Sequence, residues 1–157
     1  VVLFDTLLSS HRGEEIIAIL AHELGHWKKR HILNQLILME AASFLGFFIT
    51  AQLLNWPDLY RTFGFPEPIP YVGLLLIGAV FSPLGFFLQP IGAAFSRRLE
   101  READHFAKNL LDSGEGLANS LRRIAKDNLA NLNPHPLYAW FYYSHPTLVE
   151  RISRLMN

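Results

Sequence analysis

The chain has 157 residues, with 14 basic and 14 acidic side chains, seven histidines and no cysteine. Half of the residues are hydrophobic, which is enough for one core, so a single catalytic part over residues 1–157 is expected. The balanced charge gives no reason to expect a nucleic-acid partner. The absence of cysteine excludes a disulfide framework and a thiolate zinc site, so His, Glu and Asp are the available strong metal ligands.

The first residues, VVLFDTLL, are apolar and partly β-branched and predict a short N-terminal strand. They lack an initiator Met, a basic region and a cleavage site, so we expect a piece of a longer protein. A helix is predicted to begin near Glu14, because acidic side chains suit the positive end of a helix. It continues through the stretch IIAILAHELGHWKKRH at residues 16–31.

Two long apolar segments follow and predict a transmembrane helical hairpin at about residues 32–54 and 69–95. The first holds one charged residue, Glu40, the second holds none, and each can cross about 30 Å of hydrocarbon. Buried helices of a soluble protein are the alternative, and the length of the uncharged segments argues against it. Basic residues cluster outside both segments and only Arg61 lies between them, so both flanks should face the cytoplasm.

The rest of the chain is predicted to be mostly helical. Helices are expected at 96–114 and at about 116–129, and the aromatic stretch at 131–143 is expected to be a loop. A last helix should begin in SHPTLVERISRLMN, with Ser144 or His145 as its cap. The predicted fold is therefore mainly α-helical, with a short N-terminal strand and a membrane hairpin.

The strongest chemical signal is the His-Glu-x-x-His motif of His22, Glu23 and His26. On a helix His22 and His26 share a face, so both imidazoles can reach one metal ion. Glu23 is rotated by about 100°, which leaves it off the metal and beside the open coordination position. The arrangement is typical of a zinc peptidase whose carboxylate acts as general base on water attacking a polarised carbonyl.

A third metal ligand is required, and the helix after the hairpin should return to the same side of the membrane. Four side chains of that helix compete for the role: Glu100, Glu102, Asp104 and His105. Glu100 and Asp104 lie four residues apart on one face, so one could bind the metal while the other orients a histidine N–H. Spacing alone does not choose between them.

His31 is given a different role. It lies five residues beyond His26, which is about 140° from the metal-binding face of one continuous helix. With the basic residues 28–30 it is predicted to mark the membrane interface.

Several separated motifs resemble one known family. The stretches HELGHW, SRRLEREAD, FAKNLL, KDNL and YSHPTLVERI are similar to the integral-membrane zinc metallopeptidases of the CAAX prenyl endopeptidase family, a-factor-converting enzyme type. The resemblance covers nearly the whole chain and implies the C-terminal catalytic part of such a protein. It also implies a multi-helix membrane bundle around a large chamber, with a gluzincin-like zinc site on the cytosolic side.

The resemblance further implies roles for individual residues. The family pattern Ser-Arg-x-x-Glu-x-x-Ala-Asp selects Glu100 as the third zinc ligand and Asp104 as its neighbour behind the ligands. A second pattern, His-Pro-Pro with Glu-Arg downstream, falls on His145 and Arg151. It implies that His145 is catalytic, acting on the oxyanion, and that Arg151 binds substrate. Thr147 stands where the family has a second Pro.

We therefore expect a Zn²⁺-dependent membrane endopeptidase that cleaves peptide bonds near the C-terminus of CAAX-type prenylated peptides. Its expected partners are a peptide or protein substrate and the lipid bilayer, with no nucleic acid. It should be a multi-pass protein of the bacterial inner membrane or the endoplasmic reticulum, with the active site facing the cytoplasm. The alternatives are a heat-shock-type quality-control metalloprotease of the membrane and an inactive metal-binding membrane scaffold.

Overall fold

A computed structural model describes residues 5–157, and over this range the chain is helical with no strand. The helices are α1 (Asp5–Ser10), α2 (Gly13–Lys28), α3 (His31–Leu54), α4 (Pro57–Thr62), α5 (Pro70–Leu110), α6 (Glu115–Asp127), α7 (Pro136–Tyr142) and α8 (Leu148–Met156). The prediction of a mainly α-helical protein is confirmed.

The predicted N-terminal strand is wrong over the part that the structure describes. Residues 5–8 belong to helix α1, and residues 1–4 lie outside the described part of the chain. A short apolar run fits a buried strand and a helix equally well by composition. Asp5 lies in the first turn of α1, where the positive end of the helix dipole favours a carboxylate.

The chain divides into two compact units. One comprises the residues up to Ile32 together with Gln89–Asn157, and the other is Leu33–Leu88. In the Leu33–Leu88 unit, fully buried Tyr60 donates a hydrogen bond of 2.9 Å to the carbonyl oxygen of Leu54. Gly73 packs against this ring, because a Cβ at that position would collide with the Tyr60 hydroxyl.

Helices α3 and α5 are both long and apolar enough to cross a membrane. Along α3 only His31 is fully buried and most apolar side chains are exposed, whereas Leu53 near its end packs against the cluster around Tyr60. Helix α5 is continuous over 41 residues, through Pro83 and Pro90, and extends well beyond the apolar segment predicted to end at residue 95. A hairpin that spans a membrane stays a prediction, as does the single catalytic part over 1–157.

In the other unit, α2, the C-terminal part of α5, α6 and α8 pack around a core rich in small side chains. Its buried members are Ala18, Ala21, Ala107, Leu117, Ala118, Leu121 and Leu155. Gly25 of α2 lies against the α5 backbone, since a Cβ there would be 3.1 Å from the Cα of Ala103. The small residues therefore let α2 and α5 approach closely, which brings the histidines of one helix beside the carboxylates of the other.

Two predicted boundaries near the C-terminus are wrong. The stretch expected to be a loop contains α7, which begins at Pro136, a residue well suited to the first turn of a helix. Helix α8 is capped by Thr147 rather than by Ser144 or His145. The Thr147 hydroxyl accepts a hydrogen bond of 3.3 Å from the backbone N–H of Glu150.

Candidate metal centre

The two histidines of the motif lie on one face of α2, as their spacing predicts. The Nε2 atoms of His22 and His26 are 3.2 Å apart. From α5, Glu100 places Oε2 3.6 Å from Nε2 of His22 and Oε1 3.4 Å from Nε2 of His26. These three side chains form the one group of potential metal ligands that converges among residues 5–157.

The spacing of these atoms fits a small divalent ion. Ligands at 2.0–2.1 Å in a tetrahedral arrangement lie roughly 3.3 Å from one another, which is close to the three separations observed. Two histidines and one carboxylate are also a donor set of catalytic zinc sites, which keep a fourth position open. The arrangement can therefore hold a metal ion while leaving room for water or substrate.

The structure separates the four side chains that compete for the third position. Only Glu100 reaches both histidine Nε2 atoms. Glu102 accepts a hydrogen bond of 2.9 Å from Nε of Arg98. His105 is exposed and lies 3.0 Å from the side-chain amide of Asn109.

Asp104, the fourth competitor, lies behind the ligands. Its Oδ1 is 2.9 Å from Nδ1 of His22, the ring nitrogen that faces away from Glu100. Arg151 of α8 holds the same carboxylate through two hydrogen bonds, from Nε to Oδ2 at 2.8 Å and from Nη2 to Oδ1 at 2.7 Å. The remaining nitrogen, Nη1, lies 3.6 Å from Oε2 of Glu100. Arg151 therefore joins α8 to the ligand set.

His145 also reaches this centre. Its Nδ1 lies 3.1 Å from Oε2 of Glu100, and its side chain remains 61% exposed. The chain before it is fixed by Arg97, whose Nη1 donates to the carbonyl oxygens of Trp140 at 3.1 Å and Tyr143 at 2.6 Å. Helix geometry alone does not predict that His145 lies beside Glu100 of α5. The sequence also gives no sign that Arg97 holds the backbone before His145.

The surroundings keep both buried carboxylates ionised. Burial raises the pKa of Glu100, but hydrogen bonds from His145 and His26 outweigh it and hold that pKa well below its ordinary value. Burial also raises the pKa of Asp104, but the hydrogen bonds from His22 and Arg151 outweigh it, so this pKa lies below its ordinary value as well. An ionised carboxylate is the form that binds a metal or accepts a histidine proton.

Glu23 is the exposed member of the motif. Its side chain makes no hydrogen bond or ion pair among the described residues.

His31 is 2% exposed and contacts His26, a role that the sequence does not predict, while its predicted place at the membrane interface, at the start of α3, stays a prediction. Its Nδ1 lies 3.0 Å from Nδ1 of His26, and its Nε2 lies 3.4 Å from Oε2 of Glu102. The assumption of one continuous helix is wrong: α2 ends at Lys28 and α3 begins at His31. Arg30 between them has a φ of 55°, so the chain turns and returns the His31 ring to His26.

The family model of peptidase family M48 matches residues 1–157. CAAX prenyl protease 1 of Saccharomyces cerevisiae is 36% identical over 170 residues, covering 99% of this chain and 37% of that protein. The CAAX prenyl protease 1 homolog of Homo sapiens is 40% identical over 146 residues, covering 92% and 30%.

Among solved structures, the crystal structure of S. mikatae Ste24p matches with a TM-score of 0.80 at 38% identity. The match covers 98% of this chain and 38% of that one. The chain thus spans about a third of the length of the curated relatives. Because the family model extends over the whole sequence and identity to these relatives is high, the chain belongs to peptidase family M48.

Proposed function

We propose that the chain is the catalytic part of a zinc-dependent membrane endopeptidase that cleaves CAAX-type prenylated peptides near their C-terminus. The observation that carries the proposal is the convergence of His22, His26 and Glu100, with Glu23 as the exposed residue that follows His22 on the same helix. The names of the curated relatives, CAAX prenyl protease 1, support the substrate class. The two long apolar helices support a membrane location, and the basic residues that flank them support a site on the cytoplasmic side.

His22 and His26 would hold the zinc ion through Nε2, and Glu100 through its carboxylate. When bound, zinc would supply Lewis-acid polarisation of the scissile carbonyl and make a water molecule more acidic. Asp104, with Oδ1 2.9 Å from Nδ1 of His22, would accept the Nδ1 proton and so leave the Nε2 lone pair for the metal. Arg151 keeps Asp104 in place.

Glu23 acts as the general base. It takes a proton from the water that attacks the peptide carbonyl and passes it to the nitrogen of the leaving amine. His145 donates a hydrogen bond to the carbonyl oxygen as negative charge develops on it. The exposed side chain of His145 leaves its ring accessible to substrate.

The test uses the intact protein, purified in detergent, with a farnesylated CAAX peptide and the same peptide without the lipid. We expect cleavage of the farnesylated peptide that is lost with a zinc chelator and restored by zinc. Cleavage of an unlipidated membrane protein in place of the prenylated peptide would instead assign the chain to membrane quality control. The absence of any zinc-dependent turnover would identify a metal-binding scaffold.

A further inference from the structure

The two ring nitrogens of His26 face different partners. Nε2 points to the metal centre, at 3.2 Å from Nε2 of His22 and 3.4 Å from Glu100. Nδ1 points away from it, to Nδ1 of His31 at 3.0 Å. The rings of His26 and His31 are nearly perpendicular, at 81°, so the nitrogen atoms meet edge to edge rather than by stacking.

Metal binding through Nε2 determines where the protons of this pair lie. A neutral imidazole carries one N–H, so a His26 that offers its Nε2 lone pair to a metal is protonated at Nδ1. That proton needs an acceptor, and Nδ1 of His31 is the atom within reach. His31 must then carry its own proton on Nε2.

Glu102 faces that second proton. Nε2 of His31 is buried and has no well-aligned hydrogen-bond partner among the described residues, and Oε2 of Glu102 lies 3.4 Å away. The other oxygen of Glu102 is held by Arg98 at 2.9 Å. The contacts from His26 to His31 and from His31 to Glu102 therefore end at a carboxylate that Arg98 holds in place.

Helix α5 thus carries three carboxylates at alternate positions, residues 100, 102 and 104. Each of them is connected to the metal centre through different contacts. Glu100 converges with the ligand atoms, Asp104 contacts His22 directly, and Glu102 reaches His26 through His31. A histidine ligand commonly donates its second N–H to a carboxylate, which fixes the ring and raises its basicity. At His22 the Nδ1 proton would go directly to Asp104. At His26 it would go to His31, whose own proton faces Glu102.

We propose that His31 is a positioning residue that, together with Glu102, fixes the tautomer and orientation of His26 for metal binding. The inference rests on the proposed role of His26 as a zinc ligand. Nothing in it requires His31 to touch metal or substrate.

The experiment measures zinc affinity of the intact protein by competition with a chromophoric chelator, and the absorption spectrum of the cobalt-loaded form. His31→Phe keeps a planar ring but removes the acceptor for His26. We expect it to weaken zinc binding by about 10- to 100-fold and to change the cobalt spectrum.

A conservative variant separates hydrogen bonding from packing. The side-chain oxygen of Asn takes the place of Nδ1, so His31→Asn should keep zinc affinity closer to that of the wild type than to His31→Phe. The matched control is His105→Gln, an exposed histidine on the helix that carries Glu102, which should leave affinity and spectrum unchanged.

Several results would overturn the inference. Wild-type affinity and spectrum in His31→Phe would remove His31 from the metal site, and equal losses in the Phe and Asn variants would show that an acceptor at this position does not fix His26. If His31→Phe does not fold, Glu102→Leu, which removes the acceptor of the His31 proton, replaces it, with an expected loss of about tenfold, and unchanged affinity there overturns the proposal. Wild-type protein that binds no zinc would refute the proposed function itself, a failure distinct from those of the variants.

Discussion

Glu23 differs from the other acidic side chains around the centre because it is exposed and has no partner among residues 5–157. Glu100, Glu102 and Asp104 are each engaged by histidine or arginine side chains. A general base must be able to gain and lose a proton during each turnover, which a carboxylate committed to an arginine does poorly.

Replacing Glu23 by Gln should therefore separate metal binding from catalysis. In the intact protein we expect Glu23→Gln to retain stoichiometric zinc while turnover falls by about 10²- to 10⁴-fold, the usual contribution of a positioned acid–base group. Elemental analysis and initial rates measure the two effects. Loss of zinc from this variant would count against the assignment of Glu23 as base.

For His145, the expected effect is on turnover rather than on metal content. His145→Ala should lower kcat by about 10²- to 10³-fold with zinc retained, as when one donor to an oxyanion is removed. Steady-state kinetics on the prenylated peptide check this. Wild-type rate constants in a folded His145→Ala protein would leave this residue outside the catalytic site.

Arg151 has two of its three guanidinium nitrogens on Asp104, and the third, Nη1, lies 3.6 Å from Oε2 of Glu100, so a substrate carbonyl or carboxylate would share Nη1 with Glu100. If Arg151 binds substrate, Arg151→Ala should mainly raise KM, the sign of lost uniform binding. Loss of zinc affinity at unchanged KM would show instead that Arg151 acts through Asp104 and His22. The two outcomes are distinguished by measuring zinc affinity and kinetics on the same preparation.

For individual residues, the sequence predicts contacts between side chains that lie on the same helix. The shared face of His22 and His26 follows from their spacing, because both lie within α2. Residue spacing does not predict contacts between different helices. Glu100 of α5 is therefore selected by family resemblance and not by spacing. His31 is missed because its position depends on the turn at Arg30, where a positive φ replaces the expected continuous helix.

At the scale of elements, α2 is anchored at its first turn. Glu15 is 3% exposed and accepts hydrogen bonds of 3.0 and 3.1 Å from Nε and Nη2 of Arg123 on α6. It also accepts one of 2.8 Å from the backbone N–H of Arg12. One carboxylate thus caps the helix that carries the histidines and ties it to a neighbouring helix.

This anchor should make stability depend on pH. The hydrogen bond from Arg123 is the main cause that lowers the pKa of Glu15 below its ordinary value of 4.5, although burial opposes it. A carboxyl whose pKa is lower in the folded state stabilises the fold above its unfolded pKa, and the stabilisation is lost as pH falls through the folded pKa.

We therefore expect Glu15→Gln to lower the melting temperature of the intact protein by several degrees at pH 7. The difference from wild type should shrink as the pH falls below about 4.5. Thermal unfolding at a series of pH values measures it, with exposed Glu14→Gln as the neighbouring control. A difference that does not change with pH would show that Glu15 contributes through packing alone.

Element prediction succeeds where periodicity or an uncharged run is long. The amphipathic α6 and the apolar α3 lie close to their predicted bounds. The seven-residue α7 is too short for its aromatic composition to show a period, and Pro136 is read as a loop signal although it also suits a first helical turn. Helix α8 starts later than predicted, because Thr147 caps it.

At the scale of the whole molecule, the proposed topology places both flanks of the hairpin in the cytoplasm and the connection containing α4 on the opposite side. Asp58 of α4 is well exposed, with 64% of its side chain accessible. A cysteine introduced by Asp58→Cys, in a background without other cysteines, should react with an impermeant thiol reagent only from the non-cytoplasmic side. Labelling from the cytoplasm would invert the topology or point to a soluble fold.

The continuity of α5 has a consequence for where a peptide would be cut. The same helix that holds the apolar segment ending near residue 95 carries Glu100 five residues later. At 1.5 Å per residue, Glu100 stands no more than about 7.5 Å along the helix axis from that boundary. If the proposed hairpin places residue 95 at the edge of the hydrocarbon, the proposed cleavage would take place at about the depth of the lipid headgroups. Under the proposed function, a prenylated substrate would keep its isoprenoid chain among the acyl tails while its last peptide bonds reach the metal centre.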